Sequence, residues 1–467
     1  MALLGTFANT LKIPELRKRI MITMGLVFLT RLIAMIPVPG VNFKALELAV
    51  QERASRGDVG GLAKWFDVFS GGALSDFSIG TLSIWPYISA SIIIQLVTAV
   101  IPALEKLARE GDSGRAKLNQ ITRYLAIGIC VVQSFAATKL FENPQHLGLH
   151  GDIISNPGFG FRLMTVLSMT TASVFIIWLA DQITQRGIGN GTSMIIMVNI
   201  TSRLPNAIYQ AIQRYFGLGE FEAKANVVEL VLLLLLGFIV LMGTIMLVQG
   251  VRRVPIHSTR RMAGGRTFGS GATYMPLRVN FTGVMPVIFA GPIMQFVGVA
   301  LRYIPDNIPV LSWFNWIGVQ LGQMTSGLHL GVYAVLILFF AFFWTATQFN
   351  AMNISDNLKR DGSYIPGIRP GRATAEYLDT VMTRVTLIGA CGLVILALLP
   401  QFLQGWLELP FDMASFFGGT SLLIVVGVAL DTLRQMESHL LMRNYDGFLK
   451  HGKLRGRGGN TSTVPMR

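Results

Sequence analysis

The chain has 467 residues, of which 52% are hydrophobic and only 14% are charged. Soluble domains carry about 25% charged residues, so the composition excludes an ordinary soluble protein. The net charge of +14 must then collect in the loops between apolar segments.

A helix needs about 20 apolar residues to cross roughly 30 Å of hydrocarbon. The sequence contains ten such runs, which predict a multi-pass membrane protein. In chain order the predicted spans are 20–38, 77–101, 124–140, 161–181, 191–209, 227–249, 280–303, 329–350, 382–401 and 414–433.

Lys and Arg are concentrated in alternate loops, which is the charge bias that sets membrane orientation. The basic segments are 1–19, 102–123, 250–279, 351–381 and the tail 434–467. The opposite loops 141–160, 304–328 and 402–413 contain no Lys or Arg, although 39–75 and 210–226 carry mixed charge. Both termini are therefore expected in the cytoplasm, which requires an even number of spans.

The span interiors are nearly free of the acids, histidines and lysines that coupled transporters use to bind ions or relay protons. Arg31 is the clearest exception, and we expect its side chain to reach the outer interface near Pro37. Ser113 lies in a "GDSG" string, but in a basic loop with no nearby histidine. His329 stands alone at a span end, and the sequence contains no usable Walker, HExxH or GxGxxG motif. No enzyme activity is expected.

Five long strings carry a specific resemblance. They are "FSGGALSDFSIGTLSIWPYISASIIIQL", "QITQRGIGNGTSMII", "MPLRVNFTGVMPVIFA", "DNLKRDGSYIPGIRPG" and "FGGTSLLIVVGVALD". In order and spacing the chain resembles the SecY translocon family, the large subunits of the bacterial protein-conducting channel, from about residue 12 to 450.

The resemblance implies an all-α integral membrane protein with ten transmembrane helices in two pseudo-symmetric five-helix halves around a central pore. The first half would comprise residues 20–209 and the second half residues 210–433. An incoming chain would cross the cytoplasmic membrane through the pore, and its transmembrane segments would leave sideways into lipid through a lateral gate.

A short stretch before the second span resembles the family's plug, a half-helix that closes the resting pore from outside. By match it covers about 62–74, with Phe66 and Phe69 in the plug and Gly71 and Gly72 as a hinge. An ordinary re-entrant loop is the alternative that the residues alone favour.

The pore constriction is also assigned by resemblance. The matched ring positions are Ile84, Ile88, Thr192, Ile196, Ile288 and Ile424. A ring of branched aliphatic side chains holds water poorly and can gate by dewetting, and it makes no sequence-specific hydrogen bonds. Thr192 departs from the apolar choice and lies either at the ring's edge or in a wetter ring. Without the resemblance, each isoleucine reads as core or lipid-facing.

Gln133 and Asn280 match polar positions that line the lateral gate, between the second and seventh spans. Mid-span amides favour hydrogen bonds across helices, each contributing about 0.6–2 kcal/mol. They are equally consistent with ordinary helix packing.

The loops 250–279 and 351–381 resemble the family's docking surface for the SecA motor and the ribosome. The candidate docking residues are Arg252, Arg253, Arg260, Arg261 and Arg266 in the acid-free loop 250–279, together with Arg369, whose "IPGIRPG" string matches the family's loop between spans eight and nine. Arginine pairs well with phosphate and carboxylate groups, although simple orientation by charge explains some of these residues.

The resemblance further implies SecE and SecG as membrane partners. The SecA ATPase, a translating ribosome and the membrane potential would supply energy to a passive conduit. Signal peptides, secretory and nascent polypeptides and membrane lipids would be the other partners, with no DNA, no cofactor and no metal. The alternative functions are a secondary active transporter of a small solute and, behind it, an intramembrane protease.

Overall fold

The computed structural model describes most of the chain. The described residues are 13–42, 45–46, 67, 69–142, 154, 156–216, 227–258, 262–263, 266–267, 273–302, 312–323, 325–407, 409 and 411–451.

Seven helices make up the first part of this structure. They are α1 (Pro14–Met35), α2 (Trp85–Val100), α3 (Pro102–Arg109), α4 (Asp112–Glu142), α5 (Phe159–Arg186), α6 (Gly191–Thr201) and α7 (Leu204–Phe216).

The second part contains helices and short strands. In chain order they are α8 (Val227–Gln249), β1 (Val251–Ser258), β2 (Met262–Ala263), β3 (Arg266–Thr267), β4 (Thr273–Arg278), α9 (Met285–Arg302), α10 (Ser312–Gly322), α11 (Gly327–Gln348), α12 (Ala351–Arg360), β5 (Ser363–Tyr364), α13 (Arg372–Leu407), α14 (Phe411–Phe417) and α15 (Thr420–His451).

Proline and side-chain caps set several helix ends. Proline stands in the first turn of α1, α2 and α3, where its missing N–H is not needed. Asn190 caps α6 by accepting a hydrogen bond from the Thr192 backbone N–H, and Ser326 and Asn350 cap α11 and α12 in the same way. These residues start the helices at defined positions.

Ten of these helices coincide with the predicted spans: α1, α2, α4, α5, α6, α8, α9, α11, α13 and α15. Within the described ranges, five stretches are each long and apolar enough to cross a membrane. A sixth candidate joins α2 and α3, which are bent by 107° at their junction.

Several span boundaries differ from the prediction. The second span was expected to begin at residue 77, but residues 71–84 form turns and α2 begins at Trp85. The fifth span was expected to run to 209, but α6 ends at Thr201 and a two-residue break precedes α7. Hydropathy is averaged over a window, so a short break such as that at 202–203 inside a largely apolar run does not separate two segments.

The spans form two packed groups. In the first, α2 packs on α4, α4 on α5, and α5 on both α1 and α6. In the second, α9 packs on α11, α11 on α13, and α8 on α15. The closest contacts between the groups join α6 to α15 and α7 to α14, whereas α2 and α9 are not among the closely packed pairs. The two groups are therefore joined firmly along one side.

The long basic loop contains a small antiparallel sheet that hydropathy did not predict. Its order is β4-β1-β5, with Val254 opposite Met275 and His257 opposite Tyr364. Val254 and Leu277 are buried against Leu378 of α13. The pairing of β1 with β5 joins the loops 250–279 and 351–381 into one structural unit.

Candidate functional site

Five isoleucines from both groups of spans belong to one buried hydrophobic cluster. They lie at the start of α2, on α6, on α9 and on α15, and each is at most 9% exposed. We call Ile84, Ile88, Ile196, Ile288 and Ile424 the ring cluster; they are part of a larger buried cluster that also contains residues of α1, α4, α5 and α11. The structure therefore brings together five of the six residues that the resemblance assigned to the pore constriction.

Thr192 is the sixth assigned residue, and its side chain is held elsewhere. Its hydroxyl donates a 2.6 Å hydrogen bond to Oδ1 of Asn190, the residue that caps α6. Thr192 is half-buried and is not a member of the ring cluster.

The chain segment before α2 packs against the ring cluster. We call Asp67 and residues 69–77 the plug segment; it contains the described part of the predicted plug (62–74) and the three residues that follow. The Phe69 ring lies 5.5 Å from the Trp85 ring, measured between centroids. Phe69 also lines a small pocket together with Ile84, Ile88 and Ile196. Through Phe69, the plug segment packs against the buried cluster that contains the ring residues. Phe66, the other predicted plug residue, lies outside the described residues.

Gly71 and Gly72, the predicted hinge, both adopt left-handed backbone conformations with φ of 70° and 99°. Residues other than glycine rarely adopt such angles. Gly71 has a second constraint, because a Cβ atom there would lie 2.5 Å from Nη1 of Arg31. The two glycines form a tight turn in which the Gly72 N–H donates to the Asp67 carbonyl.

Polar side chains hold the plug segment in place. The amide of Asn199 on α6 donates to the Phe69 carbonyl at 2.8 Å. The guanidinium of Arg31 on α1 donates to the Gly71 carbonyl at 3.2 Å. Arg203, in the break after α6, forms an ion pair with the Asp67 carboxylate. Sequence reasoning did not find this network.

The guanidinium of Arg31, which we expect to reach the outer interface near Pro37, donates hydrogen bonds to the Gly71 carbonyl and to Oδ1 of Asn199. Asn199 itself carried a usable signal. A buried amide in the apolar run "SMIIMVNI" is costly unless it finds hydrogen-bond partners.

The two predicted lateral-gate amides do not form a matched pair. Asn280 is 9% exposed, and its Oδ1 accepts from the Thr282 hydroxyl at 3.5 Å. The side-chain oxygen of Gln133 is buried with no hydrogen-bond partner among the described residues. A movement of α4 that brought a hydrogen-bond donor to this oxygen would be favourable, because a buried acceptor without a partner costs free energy.

The predicted docking arginines are only partly described. Arg252 and Arg253 are exposed on β1, and Arg369 is exposed in the turn that follows β5. That turn is fixed by hydrogen bonds from Thr374 to the Arg369 carbonyl and from Ser355 to the Gly371 carbonyl. Arg260 and Arg261 lie outside the described residues, and Arg266 is described only as part of β3. The β1–β5 pairing joins the loops that carry these exposed arginines.

The chain is similar to known proteins over almost its full length. The family model SecY matches residues 78–433. A protein translocase subunit SecY of Thermotoga maritima is 40% identical over 453 residues, 97% of this chain and 99% of the relative. The subunit of the same name from Escherichia coli K12 is 39% identical over 95% of this chain and 96% of its own length.

Solved structures share the fold. One described as "The structure of a protein conducting channel" superimposes with a TM-score of 0.58 at 15% identity, covering 94% of this chain and 98% of that chain. Sec61 in the canine ribosome-channel complex gives a TM-score of 0.55 at 15% identity, with 94% and 98% covered. The match to the family model and the near-full-length relatives place this chain in the SecY family.

Proposed function

We propose that this chain is the central pore-forming subunit of a Sec protein-conducting channel. It passes unfolded secretory polypeptides across the bacterial cytoplasmic membrane and releases transmembrane segments sideways into lipid. The observation that carries the proposal is the ring cluster, in which isoleucines of both helix groups meet beneath the plug segment.

The ring cluster suits a passage for chains of any sequence. Its side chains offer no hydrogen bonds, so the passing chain is not selected by its polar groups. At rest the same side chains exclude water and ions, since a narrow apolar constriction dewets. The seal and the tolerance for different clients thus have one physical cause.

The packing of the two groups indicates how the channel opens. The contacts of α6 with α15 and of α7 with α14 form the closed side. Separation of α2 from α9 on the other side opens the lateral gate, near Gln133 and Asn280. A client segment that moves into lipid gains about 0.8 kcal/mol per buried CH₂, so lipid exit favours apolar segments.

The chain acts as a passive conduit in this proposal. The SecA ATPase, a translating ribosome and the membrane potential supply the energy, and SecE and SecG hold the two groups together in the membrane. The basic loops face the cytoplasm together with both termini, as the charge bias of the loops predicts.

Cross-linking of a stalled client tests the pore assignment. Cys130 and Cys391 would be replaced, and a single cysteine placed at Ile288 or, as a control, at Leu235, which is 61% exposed on α8. A secretory chain that carries one cysteine and is stalled in transit should form a disulfide with position 288 and not with position 235. Bound client that bonds to neither position would contradict the proposed pore.

Charge removal at Arg369 tests the docking surface. Arg369→Ala should weaken binding of SecA and of ribosomes to membrane vesicles about tenfold, the effect of losing about 1.4 kcal/mol from charged hydrogen bonds. Arg372→Ala is the matched control, since it removes the same charge from an exposed site where Arg372 pairs with Glu376 at 3.0 Å. Equal losses of binding in both variants would show that Arg369 contributes only its positive charge and makes no specific contact.

The secondary transporter finds no support in the comparisons. Such a transporter would need ionisable groups that bind the coupling ion near mid-membrane. Within the described residues, no group of three or more His, Cys, Asp or Glu side chains is arranged to hold a metal ion. Arg31, the clearest ionisable residue inside a span, is bonded to the plug segment and to Asn199.

A further inference from the structure

Asn199 lies at the point where three separate parts of the chain meet. It lies on α6 and is only 3% exposed. Each hydrogen bond that its side-chain amide makes is to a residue of another segment. Nδ2 donates to the Phe69 carbonyl at 2.8 Å and to the Ser83 hydroxyl at 2.9 Å. Oδ1 accepts from Nη1 of Arg31 at 3.2 Å.

The chemistry of the partners fixes the orientation of this amide. A carbonyl oxygen can only accept, and a guanidinium can only donate. A flipped amide would place its NH₂ against Arg31 and its oxygen against the Phe69 carbonyl. Asn199 therefore ties the plug segment, the start of α2 and helix α1 together in one arrangement.

The same residue is linked to the ring cluster in two ways. Ile196 lies three positions earlier on α6, so it shares a helix face with Asn199. Ser83 directly precedes ring residue Ile84, and its φ of 47° is rare for a residue other than glycine. The hydrogen bond from Asn199 stabilises this backbone where the chain enters the ring.

A second anchor lies one helical turn further along. Arg203 pairs with Asp67, and these side chains are 20% and 7% exposed. The Asp67 carboxylate also accepts from the Ser75 N–H at 3.0 Å, which closes the plug segment on itself. Breaking a buried ion pair is more costly than breaking an exposed one.

We propose that Asn199, supported by Arg31 and Arg203, is the positioning residue that latches the plug segment to the ring. The latch couples two seals, the plug segment and the ring cluster, that would otherwise be independent. A shift of α6 moves Ile196 and, in the same step, releases the hydrogen bonds to Phe69 and Ser83. Because α6 also packs on α15 of the second group, relative motion of the two groups reaches the latch. This inference rests on the proposed function as a channel.

The test uses the reconstituted channel complex at rest, with small-ion flux into vesicles as the readout. Asn199→Leu removes all three hydrogen bonds. Asn199→Asp keeps the size of the side chain and the partner of Arg31, but it loses the donor to Phe69. Both variants should raise the resting flux about tenfold, as expected from the loss of hydrogen bonds that include a charged partner. Passage of a normal secretory client should be retained.

Thr201→Ala is the matched control. Thr201 lies on the same helix, is exposed and donates only within α6, to the Met197 carbonyl at 2.8 Å. It should leave the resting flux unchanged. A second readout is independent of conductance: a cysteine at Ser70, which is 2% exposed, should react faster with an impermeant maleimide from outside in both Asn199 variants.

The outcomes separate the latch from the channel. Ile288→Ser is assayed alongside as a test of the ring itself. If it leaks while both Asn199 variants match the parent in flux and in Ser70→Cys labelling, the channel stands and the latch is refuted. If Ile288→Ser does not leak and stalled client does not bond to position 288, the channel proposal fails first. If Asn199→Leu fails to accumulate in membranes, the test of the latch rests on Asn199→Asp, which is isosteric with asparagine.

Discussion

Replacing Ile288 by serine is expected to make the resting channel conduct small ions, with flux at least about tenfold above that of the parent. Ile288 is 4% exposed and shares a buried cluster with isoleucines of α2, α6 and α15. A buried hydroxyl group costs about 1–3 kcal/mol without a partner and attracts water. Wetting of the constriction removes the barrier that dewetting provides.

The measurement is ion flux into vesicles that contain the reconstituted channel, with Ile293→Ser as control. Ile293 is on the same helix, α9, but is 40% exposed. Ile293→Ser makes the same change of side chain at a site outside the ring cluster. Comparable flux in the two variants would show that leakage follows from general disturbance of α9, and the ring assignment would be wrong.

Replacing Gly191 by alanine should destabilise the protein by about 1–3 kcal/mol, the range for overpacked sites. A Cβ atom at Gly191 would lie 1.9 Å from the backbone oxygen of Ala180 on α5. Backbone cannot rotate aside as a side chain can, so α6 must shift. Because α6 carries Ile196 and Asn199, the shift would disturb the ring cluster and the latch together.

The amount of folded chain in membranes and its unfolding temperature in detergent would show this loss. Gly128→Ala on α4 is the control, since a Cβ there meets nothing within 4 Å. Alanine is the better helix former of the two residues, so this variant should be as stable as the parent or slightly more so. A loss of stability in Gly128→Ala equal to that of Gly191→Ala would contradict the packing argument.

The ring and the latch have different physical roles. The ring cluster is an apolar seal whose strength comes from excluding water, so any polar substitution weakens it. The latch is polar and directional, so its strength depends on the matched donors and acceptors of Asn199 and Arg31. A plug segment held by hydrogen bonds can be released by a small movement, because hydrogen bonds weaken steeply once their geometry is lost.

The membrane character of the chain, its ten apolar runs and the alternation of basic loops were determined by the sequence alone. Each is a local property: an apolar run needs no partner to be recognised, and the position of Lys and Arg is read directly. The resemblance to the SecY family also selected five isoleucines that lie in one buried cluster, which hydropathy could not have separated from lipid-facing ones. Their role as the pore constriction stays a prediction.

Only the tertiary structure decided which side chains act together. Arg31 and Asn199 are 168 positions apart, and Asn199 and Phe69 are 130 apart. The ring cluster likewise joins helices from Ile84 to Ile424. No local pattern encodes such contacts, because they exist only when separately formed helices pack, and a buried amide signals that it needs partners without naming them.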